Sequence, residues 1–495
     1  MNKQIARLGI CGLVLIAALI VATTYWQTWA SAGLADRQDN AIQRVAQYSI
    51  RRGLIYTRNR KVLAANRARK VSGRTLYFRR YPQGRLAPQV VGYSTVGRAQ
   101  AGLERSLNDY LTGSNANLDT VFSTTLDRLK GATVKGNDVY VTIDGAAQRV
   151  ANYQLAGKCG SIVALEPKTG RVLVMASSPT YNENEVQSNA GYARIQRITG
   201  ACLPAAPLLN RATDGLFTPG SSFKIVTAAA ALDSGAYTPD SSFYDPGYCI
   251  EYHQPVSNAG NPDQNGPETF GTLNLFTAFQ HSVNSVFCNI GQKLGAAKIL
   301  EYARKFGFYS TPPLETPLNE RVASGRYKNH RLELSSEGAD PGRIAFGQEN
   351  LLVTPLQGAM VAAAIANRGV VMKPYVVDRI VAPGGKVIRK TKPEALRRAV
   401  KTKVAQELTQ MMVAAVTGGT GGAAQLSGIS VAGKTGTAET GVSHVNTTWF
   451  VCFAPAENPK VAVAVVLENQ HGFAGQTAAP IARTMMQAIL QRGSK

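Results

Sequence analysis

Three short stretches carry residues that could perform acyl transfer: Ser221-Ser222-Phe223-Lys224, Ser282-Val283-Asn284 and Lys434-Thr435-Gly436-Thr437. In that order they offer a nucleophile with a base three residues on, a second hydroxyl beside an amide, and a cation followed by a glycine and two threonines. A serine hydroxyl needs a base before it attacks a carbonyl. The five histidines, His253, His281, His330, His444 and His471, form no recognisable triad. A neutral lysine can serve instead. Residues three apart on a helix share a face, so Lys224 can reach the Ser221 hydroxyl. A helix N-terminus and the second cation, Lys434, both disfavour the ammonium form and lower the Lys224 pKa. The backbone N–H groups of Ser221 and Thr437 are candidate oxyanion donors. Ser282 and Asn284 would relay a proton to a leaving amine and hold a substrate amide. Each motif alone is weak: Ser106-Leu107-Asn108 and Lys168-Thr169-Gly170 repeat two of them upstream of the SxxK, and they read as surface or turn sequence.

Positioning such a trio takes a framework, and the sequence outlines one. Thr218-Pro219-Gly220 ends an extended segment, and Ser221 opens a helix through Leu232. Residues 139–143, 161–165 and 171–175 read as strands, with turn chemistry at Glu166-Pro167-Lys168-Thr169-Gly170 between the last two. Late in the chain 449–453 and 461–467 form a second strand pair, and a final helix covers 477–491. Helices are also expected at 146–155 and 356–367. Strands at both ends around central helices predict an α/β (α+β) fold: one sheet built from distant pieces, helices packed on it. Residues 31–138 mix a helical patch at 41–49 with strands at 53–56 and 75–78; they show no acid–base cluster and read as a structural spacer.

Length and charge bound the rest. At 495 residues two or three domains are expected. The net charge is +23. From Arg37 to Arg85 there are fourteen Lys or Arg and one acid, Asp39. Leu8–Thr24 carries no charge, follows Lys3 and Arg7, and precedes Tyr25, Trp26 and Trp29. That pattern fits a membrane anchor with a cytoplasmic N-terminus, everything after about residue 30 lying outside. A cleaved signal peptide, with Ala30-Ser31-Ala32 as its site, is the competing reading. Either way the chain leaves the cytoplasm, so nucleic acid is not an expected partner; anionic headgroups or wall polymers are the natural counter-charges of the basic stripe. Cys11, Cys159, Cys202, Cys249, Cys288 and Cys452 follow no metal spacing. Cys249 with Cys288 is the first disulfide to test, against buried free thiols.

Gly428–Thr435 matches the phosphate-loop pattern GxxxxGK[ST], but its Ile-Ser-Val interior is strand-like and Gly436 and Gly441 fall where a helix should begin.

From about 139 to its end the chain resembles the transpeptidase domain of penicillin-binding proteins. Beyond the trio, Asn210-Arg211-Ala212, Pro219-Gly220-Ser221, Gly347-Gln348, Thr354-Pro355-Leu356-Gln357 and Ala432–Ala438 match that family's pattern. Arg52-Gly53-Leu54-Ile55 through Leu63-Ala64, with Tyr81-Pro82-Gln83-Gly84 and Gly102-Leu103-Glu104, resembles the pedestal of the class B, monofunctional branch. It departs at Thr57, where an acid is usual, and at Arg60, where a glycine is. No room is left for a glycosyltransferase domain. The resemblance implies three parts: an anchor (1–30), a non-catalytic pedestal (31–138) and a transpeptidase domain (139–495) with a central antiparallel sheet and helices on both faces. It implies a peptidoglycan D,D-transpeptidase acting through a Ser221 acyl-enzyme, with Lys224 and Ser282 catalytic and Asn284, Lys434, Thr435, Gly436 and Thr437 binding substrate. It implies no cofactor and no metal. Implied partners are peptidoglycan stem peptides, β-lactam antibiotics, the membrane, and a glycosyltransferase or the division or elongation machinery. D,D-carboxypeptidase activity and a non-catalytic wall scaffold share the fold. So does a β-lactamase: Glu315-Thr316-Pro317-Leu318-Asn319 fits the pattern that supplies a hydrolytic glutamate in class A enzymes, and is read here as a surface loop.

Overall fold

The computed structural model describes residues 2–25, 48–95, 100–114, 125, 133–261, 266–442 and 445–491. Trp26, Trp29, residues 30–32 and most of the helical patch at 41–49 lie outside them; Tyr48 and Ser49 are helical. Helix α1 spans Asn2–Tyr25. Among the described residues no helix is long and apolar enough to cross a membrane, and in α1 the continuously described side chains run only from Gly9 to Tyr25.

Two sheets organise the rest. Strands β1 (Ile55–Tyr56), β2 (Val62–Val71), β3 (Arg74–Arg80) and β4 (Asp138–Val141) are followed by helix α2 (Gly145–Gln154), then β5 (Cys159–Leu165) and β6 (Val172–Ser178). Helices α3 (Lys224–Asp233), α4 (Leu275–His281), α5 (Asn284–Lys305) and α6 (Pro355–Ala366) occupy the middle of the chain. There follow β7 (Val377–Val381), β8 (Val387–Lys390), α7 (Thr402–Thr417), β9 (Ala432–Glu439), β10 (Asn446–Ala454), β11 (Val461–Gln470) and α8 (Ala474–Leu490).

The catalytic sheet has the order β9-β10-β11-β5-β6, antiparallel throughout. Its register joins residues three hundred apart, with Val465 opposite Ile162 and Ala464 opposite Val163. Alternate side chains feed two cores. Ile162, Ala164, Val463 and Val465 pack under α2 and α8, while Val163, Leu165, Ala464 and Val466 pack under α6 and α3. Helices on both faces leave no side for water, which is why every residue of β5 and β6 is buried, the serines included. Each fully buried Val or Ile contributes about 1.5–3 kcal/mol. Helix α3, IVTAAAAL after its lysine, is buried on every side, its alanines allowing neighbours to approach closely.

The second sheet, β8-β7-β4-β1-β2-β3, ties the pedestal to the catalytic part: β4 pairs in parallel with β1 and antiparallel with β7. The boundary drawn at 138/139 therefore falls inside a strand both parts share. The pedestal also holds an acid–base cluster that the sequence reading did not find. Glu104, fully buried, accepts from Arg52 Nη2 at 2.9 Å and Arg79 Nε at 2.5 Å. The three residues are distant in sequence, and only the β2–β3 pairing and the short Gly102–Ser106 helix bring them together. The usual glycine position in the turn after β1 is here Arg60, at φ 61°. Thr57 holds that turn, its Oγ1 accepting from Lys61 N at 3.0 Å.

Candidate active site

Ser221 sits on a tight 3-10 turn, Gly220–Phe223, that leads directly into α3. The expected helix thus begins one turn later, at Lys224. The turn can form because Gly220 takes φ 52° and because it lies against β9, the edge strand of the catalytic sheet. A Cβ at Gly436 would stand 2.4 Å from Pro219 O and 2.9 Å from Ser222 N. The glycine of the KTG motif is there to let the strand touch the nucleophile's turn. Trp449 Nε1, from the adjacent β10, donates to Thr218 O at 3.0 Å and fixes the approach from below.

Lys224 is fully buried and its Nζ donates to Ser282 O at 2.7 Å, Asn284 Oδ1 at 2.7 Å and Ser282 Oγ at 3.4 Å. Burial, and then the charge of Lys434, depress its pKa well below the ordinary lysine value. The three acceptors have a complementary use: an ammonium formed by taking a proton would find all three N–H groups satisfied. Ser282 presents both its carbonyl and its hydroxyl to Lys224 because it adopts a left-handed conformation, φ 65° and ψ 38°, where α4 ends. For a non-glycine residue that costs about 1–3 kcal/mol and marks a functional constraint.

Asn284 Nδ2 donates to Ser257 O at 3.0 Å, so both ends of this amide are engaged within the protein and it orients Lys224. Lys434 is fully buried, lies 5.8 Å from the Phe279 ring centroid, and has a pKa lowered by burial to about 7. Its Nζ donates to Thr435 O at 3.3 Å and Thr435 Oγ1 at 3.4 Å. Thr437, half-buried, accepts at Oγ1 from Ala474 N at 3.2 Å, at the start of α8. Ser221 Oγ has no hydrogen-bond partner among the described residues; catalytic hydrogen bonds commonly close only when substrate binds.

Several supporting residues were not legible beforehand. Asp245, 1% exposed, accepts at Oδ1 from Ser285 Oγ (2.5 Å), Gly247 N (2.8 Å) and Asn258 Nδ2 (3.0 Å), and at Oδ2 from Phe270 N (3.0 Å). Asn258 Oδ1 in turn accepts from Ser285 N at 3.0 Å. This network braces the start of α5, where the SxN motif lies, yet Asp245-Pro246-Gly247 reads only as a turn in sequence. The Cys249–Cys288 disulfide, the pair tried first from the sequence, clamps the same segment one helical turn past Asn284. A second disulfide, Cys159–Cys202, had no local signal. Among the described residues one group of ligand-type atoms gathers, Cys159, Cys202 and Glu468, but the bridge consumes both sulfurs. Thr420 Oγ1, 2.6 Å from Thr435 Oγ1, ties the loop after α7 to the KTG strand.

The rival motifs fall elsewhere. Lys168-Thr169-Gly170 is the tip of the β5–β6 hairpin, and Asn108 of the early SxN accepts from Arg52 Nη1 at 2.8 Å in the pedestal. Lys434 is in a strand, so the phosphate-loop pattern lacks its helix. Glu315 is not on a surface loop: its carboxylate accepts from Val376 N at 2.8 Å beside β7, and burial pushes its pKa up.

A serine on a turn against a sheet edge, a depressed buried lysine behind it, and a second lysine on that edge define an active-site serine acyl transferase. Residues 160–487 match the penicillin binding protein transpeptidase domain and 52–139 the penicillin binding protein A dimerisation domain, and the chain belongs to the penicillin-binding protein transpeptidase family. It is 36% identical over 521 residues to the peptidoglycan D,D-transpeptidase PbpA of Mycolicibacterium smegmatis, covering all of both chains. Penicillin-binding protein A of Mycobacterium tuberculosis, solved as a ceftriaxone acyl-enzyme complex, superposes with a TM-score of 0.80 at 31% identity over 90% of this chain and 100% of that one. A D,D-transpeptidase domain from Eggerthella lenta gives 0.75 at 33%, over 90% and 99%.

Proposed function

We propose that this protein is a peptidoglycan D,D-transpeptidase that cross-links stem peptides and is acylated by penicillins at Ser221. The observation that carries it is the buried Lys224 amine, held by Ser282 and Asn284 one turn behind Ser221. Lys224 Nζ takes the Ser221 Oγ proton as Oγ bonds to the penultimate D-Ala carbonyl carbon. The oxyanion is held by the N–H groups of Ser221 and Thr437. The C–N bond to the terminal D-Ala then breaks, its nitrogen receiving the proton from Lys224 by way of Ser282. An acceptor amine attacks the ester, gives up a proton along the same route, and Ser221 Oγ leaves protonated. Lys434, Thr435 and Thr437 bind the substrate's terminal carboxylate, which a β-lactam carboxylate imitates. Burial lowers the Lys434 pKa to about 7, and an arriving carboxylate, by pairing with the ammonium, favours the charged form that holds it. Labelling with a fluorescent penicillin and peptide mapping tests this: the label should sit on Ser221 alone, and a label elsewhere, or none, overturns it.

The same reading places the enzyme on the outer face of a membrane, with α1 as a single-pass anchor and the N-terminus in the cytoplasm. The uncharged run Leu8–Thr24 supports it, as do Leu13, Leu15 and Leu19, which are 66–71% exposed in α1. Alkali extraction of membranes from the native host should leave the full chain in the pellet. Release into the supernatant would favour a cleaved leader.

A further inference from the structure

Residues 48–95 contain twelve Lys or Arg and no acid. Two of the twelve, Arg52 and Arg79, are spent inside the pedestal on Glu104. The other ten, Arg51, Arg58, Arg60, Lys61, Arg67, Arg69, Lys70, Arg74, Arg80 and Arg85, are exposed and form no ion pair among the described residues. The β2–β3 pairing sorts part of this charge onto one face. Arg67 is opposite Phe78, Arg69 opposite Leu76, Val71 opposite Arg74, and Ala65 opposite Arg80. Directly opposed residues of an antiparallel pair point the same way. One face of the hairpin therefore carries Arg67, Arg69, Arg74 and Arg80 around Val71, Leu76 and Phe78. Among the described residues it lies at an open sheet edge, since β3 ends the six-stranded sheet.

The geometry points to this face as a docking surface for anionic phospholipid headgroups. Three observations favour a lipid surface over a soluble polyanion. The face is mixed, with Val71 45% exposed among the arginines, and an interface with headgroups above and acyl chains below accepts both kinds of group. Arg69 stands over the Phe78 ring, its guanidinium carbon 5.8 Å from the centroid, so cation and aromatic ring share one patch. Tyr48, where the chain arriving from α1 is next described, stacks on that same Phe78 at 5.4 Å. Tyr48, the first described residue after α1, is thus held on the arginine face. This extends the anchor reading above and is independent of the chemistry at Ser221. Its consequence is orientation: with the pedestal lying on the membrane through one hairpin, the cleft stands at a fixed height and angle rather than swinging on a tether.

The test uses the full chain with Val71→Cys in a Cys11→Ala background, Cys452 being buried and the other four cysteines bridged. The thiol is labelled with a fluorophore, and the protein is mixed with vesicles carrying a quencher on the headgroup. One set is phosphatidylcholine alone; the other has about a third phosphatidylglycerol. Quenching should be stronger with the anionic vesicles and fall towards the phosphatidylcholine level at 1 M salt, where the screening length shrinks to about 3 Å. Arg67→Glu, Arg69→Glu and Arg74→Glu together should shift the docked-to-free ratio by roughly a hundredfold or more, since each arginine near an anionic surface is worth about fivefold. Fluorescent penicillin should still label Ser221 in that variant, which shows that it is folded; loss of labelling in the unsubstituted chain would instead count against the transpeptidase reading. Equal quenching in both vesicle sets, or quenching that survives charge reversal, overturns the proposal. So does quenching that appears only when an anionic wall polymer or a second protein is added.

Discussion

The cleft and the pedestal both bury two cations, and they treat them in opposite ways. Arg52 and Arg79 share the Glu104 carboxylate. Burial would raise that carboxyl's pKa, but the two arginines outweigh it and hold it below its usual range. Among the described residues Lys224 and Lys434 have no carboxylate partner. Their neighbours are carbonyls, hydroxyls, one amide oxygen, aromatic rings and each other, and both amines are pushed down towards neutrality. A buried cation with a counter-ion is fixed in its charge state and serves the fold. A buried amine without one is poised to gain and lose a proton. The residue types follow the same logic, since guanidinium does not release its proton and lysine does so readily when desolvated.

Removing the reacting groups should give the largest effects and leave the fold alone. Ser221→Ala is expected to abolish penicillin acylation with an unchanged urea midpoint. Lys224→Met keeps the volume and removes the amine; acylation should slow by roughly 10²–10⁴. A Lys224→Met enzyme that acylates at the unsubstituted rate would place the base elsewhere. The mirror experiment is Glu104→Gln. It leaves two buried guanidiniums facing a neutral amide, and breaking a buried pair in this way costs about 3–5 kcal/mol. The midpoint in urea should fall at nearly constant slope, while the folded fraction still acylates normally. If Glu104→Gln slows acylation without destabilising the protein, the two regions are coupled in a way the comparison denies.

A finer effect tests whether the lysines act on each other. Neutral Lys224 is the form that accepts the serine proton, so acylation should rise with pH through the Lys224 pKa. The charge of Lys434 is one of the two causes that lower that pKa. In Lys434→Gln this repulsion is gone, Lys224 holds its proton to higher pH, and the acid limb of the pH–rate profile should move up. The limb is read from acylation rates at saturating penicillin, because weaker binding is expected as well. An acid limb that stays in place, or moves down, would falsify the electrostatic link.

How much of this was readable beforehand depends on the range of the interactions. The catalytic trio is legible because each motif is a local device: a lysine three residues from a serine, a glycine where a strand must touch a turn. The apolar runs at 161–165, 449–453 and 461–467 announced strands of one sheet built from distant pieces, whereas the helices on both of its faces were implied by the family resemblance. The Arg52–Glu104–Arg79 cluster, the Asp245 network and the Cys159–Cys202 bridge were not legible. Each joins residues whose meeting depends on register rather than on spacing, so Arg79 looked like one more member of a surface stripe. Glu315 failed in the other direction. Its prolines suggested a loop at the surface, whereas tertiary packing brought that loop against β7 and turned its carboxylate to a backbone donor.

Glu315 also supplies the smallest expected effect and the last test of the comparison. Hydrolysis of an acyl-enzyme needs a base directed at a water beside the ester. In this fold the Glu315 carboxylate is spent on Val376 N, next to β7, which pairs with the strand β4 shared by pedestal and catalytic part, and so does structural work like that of Glu104. Glu315→Gln retains an oxygen that can accept the same bond, so the stability change should stay within about 1 kcal/mol, the scale of one hydrogen bond. The penicilloyl adduct on Ser221 should persist from minutes to hours, with the same lifetime in both proteins, as followed by intact-mass spectrometry after excess antibiotic is removed. A fast turnover that disappears in Glu315→Gln would mean that this carboxylate reaches the ester, and that the fold is being used for hydrolysis rather than for building a wall.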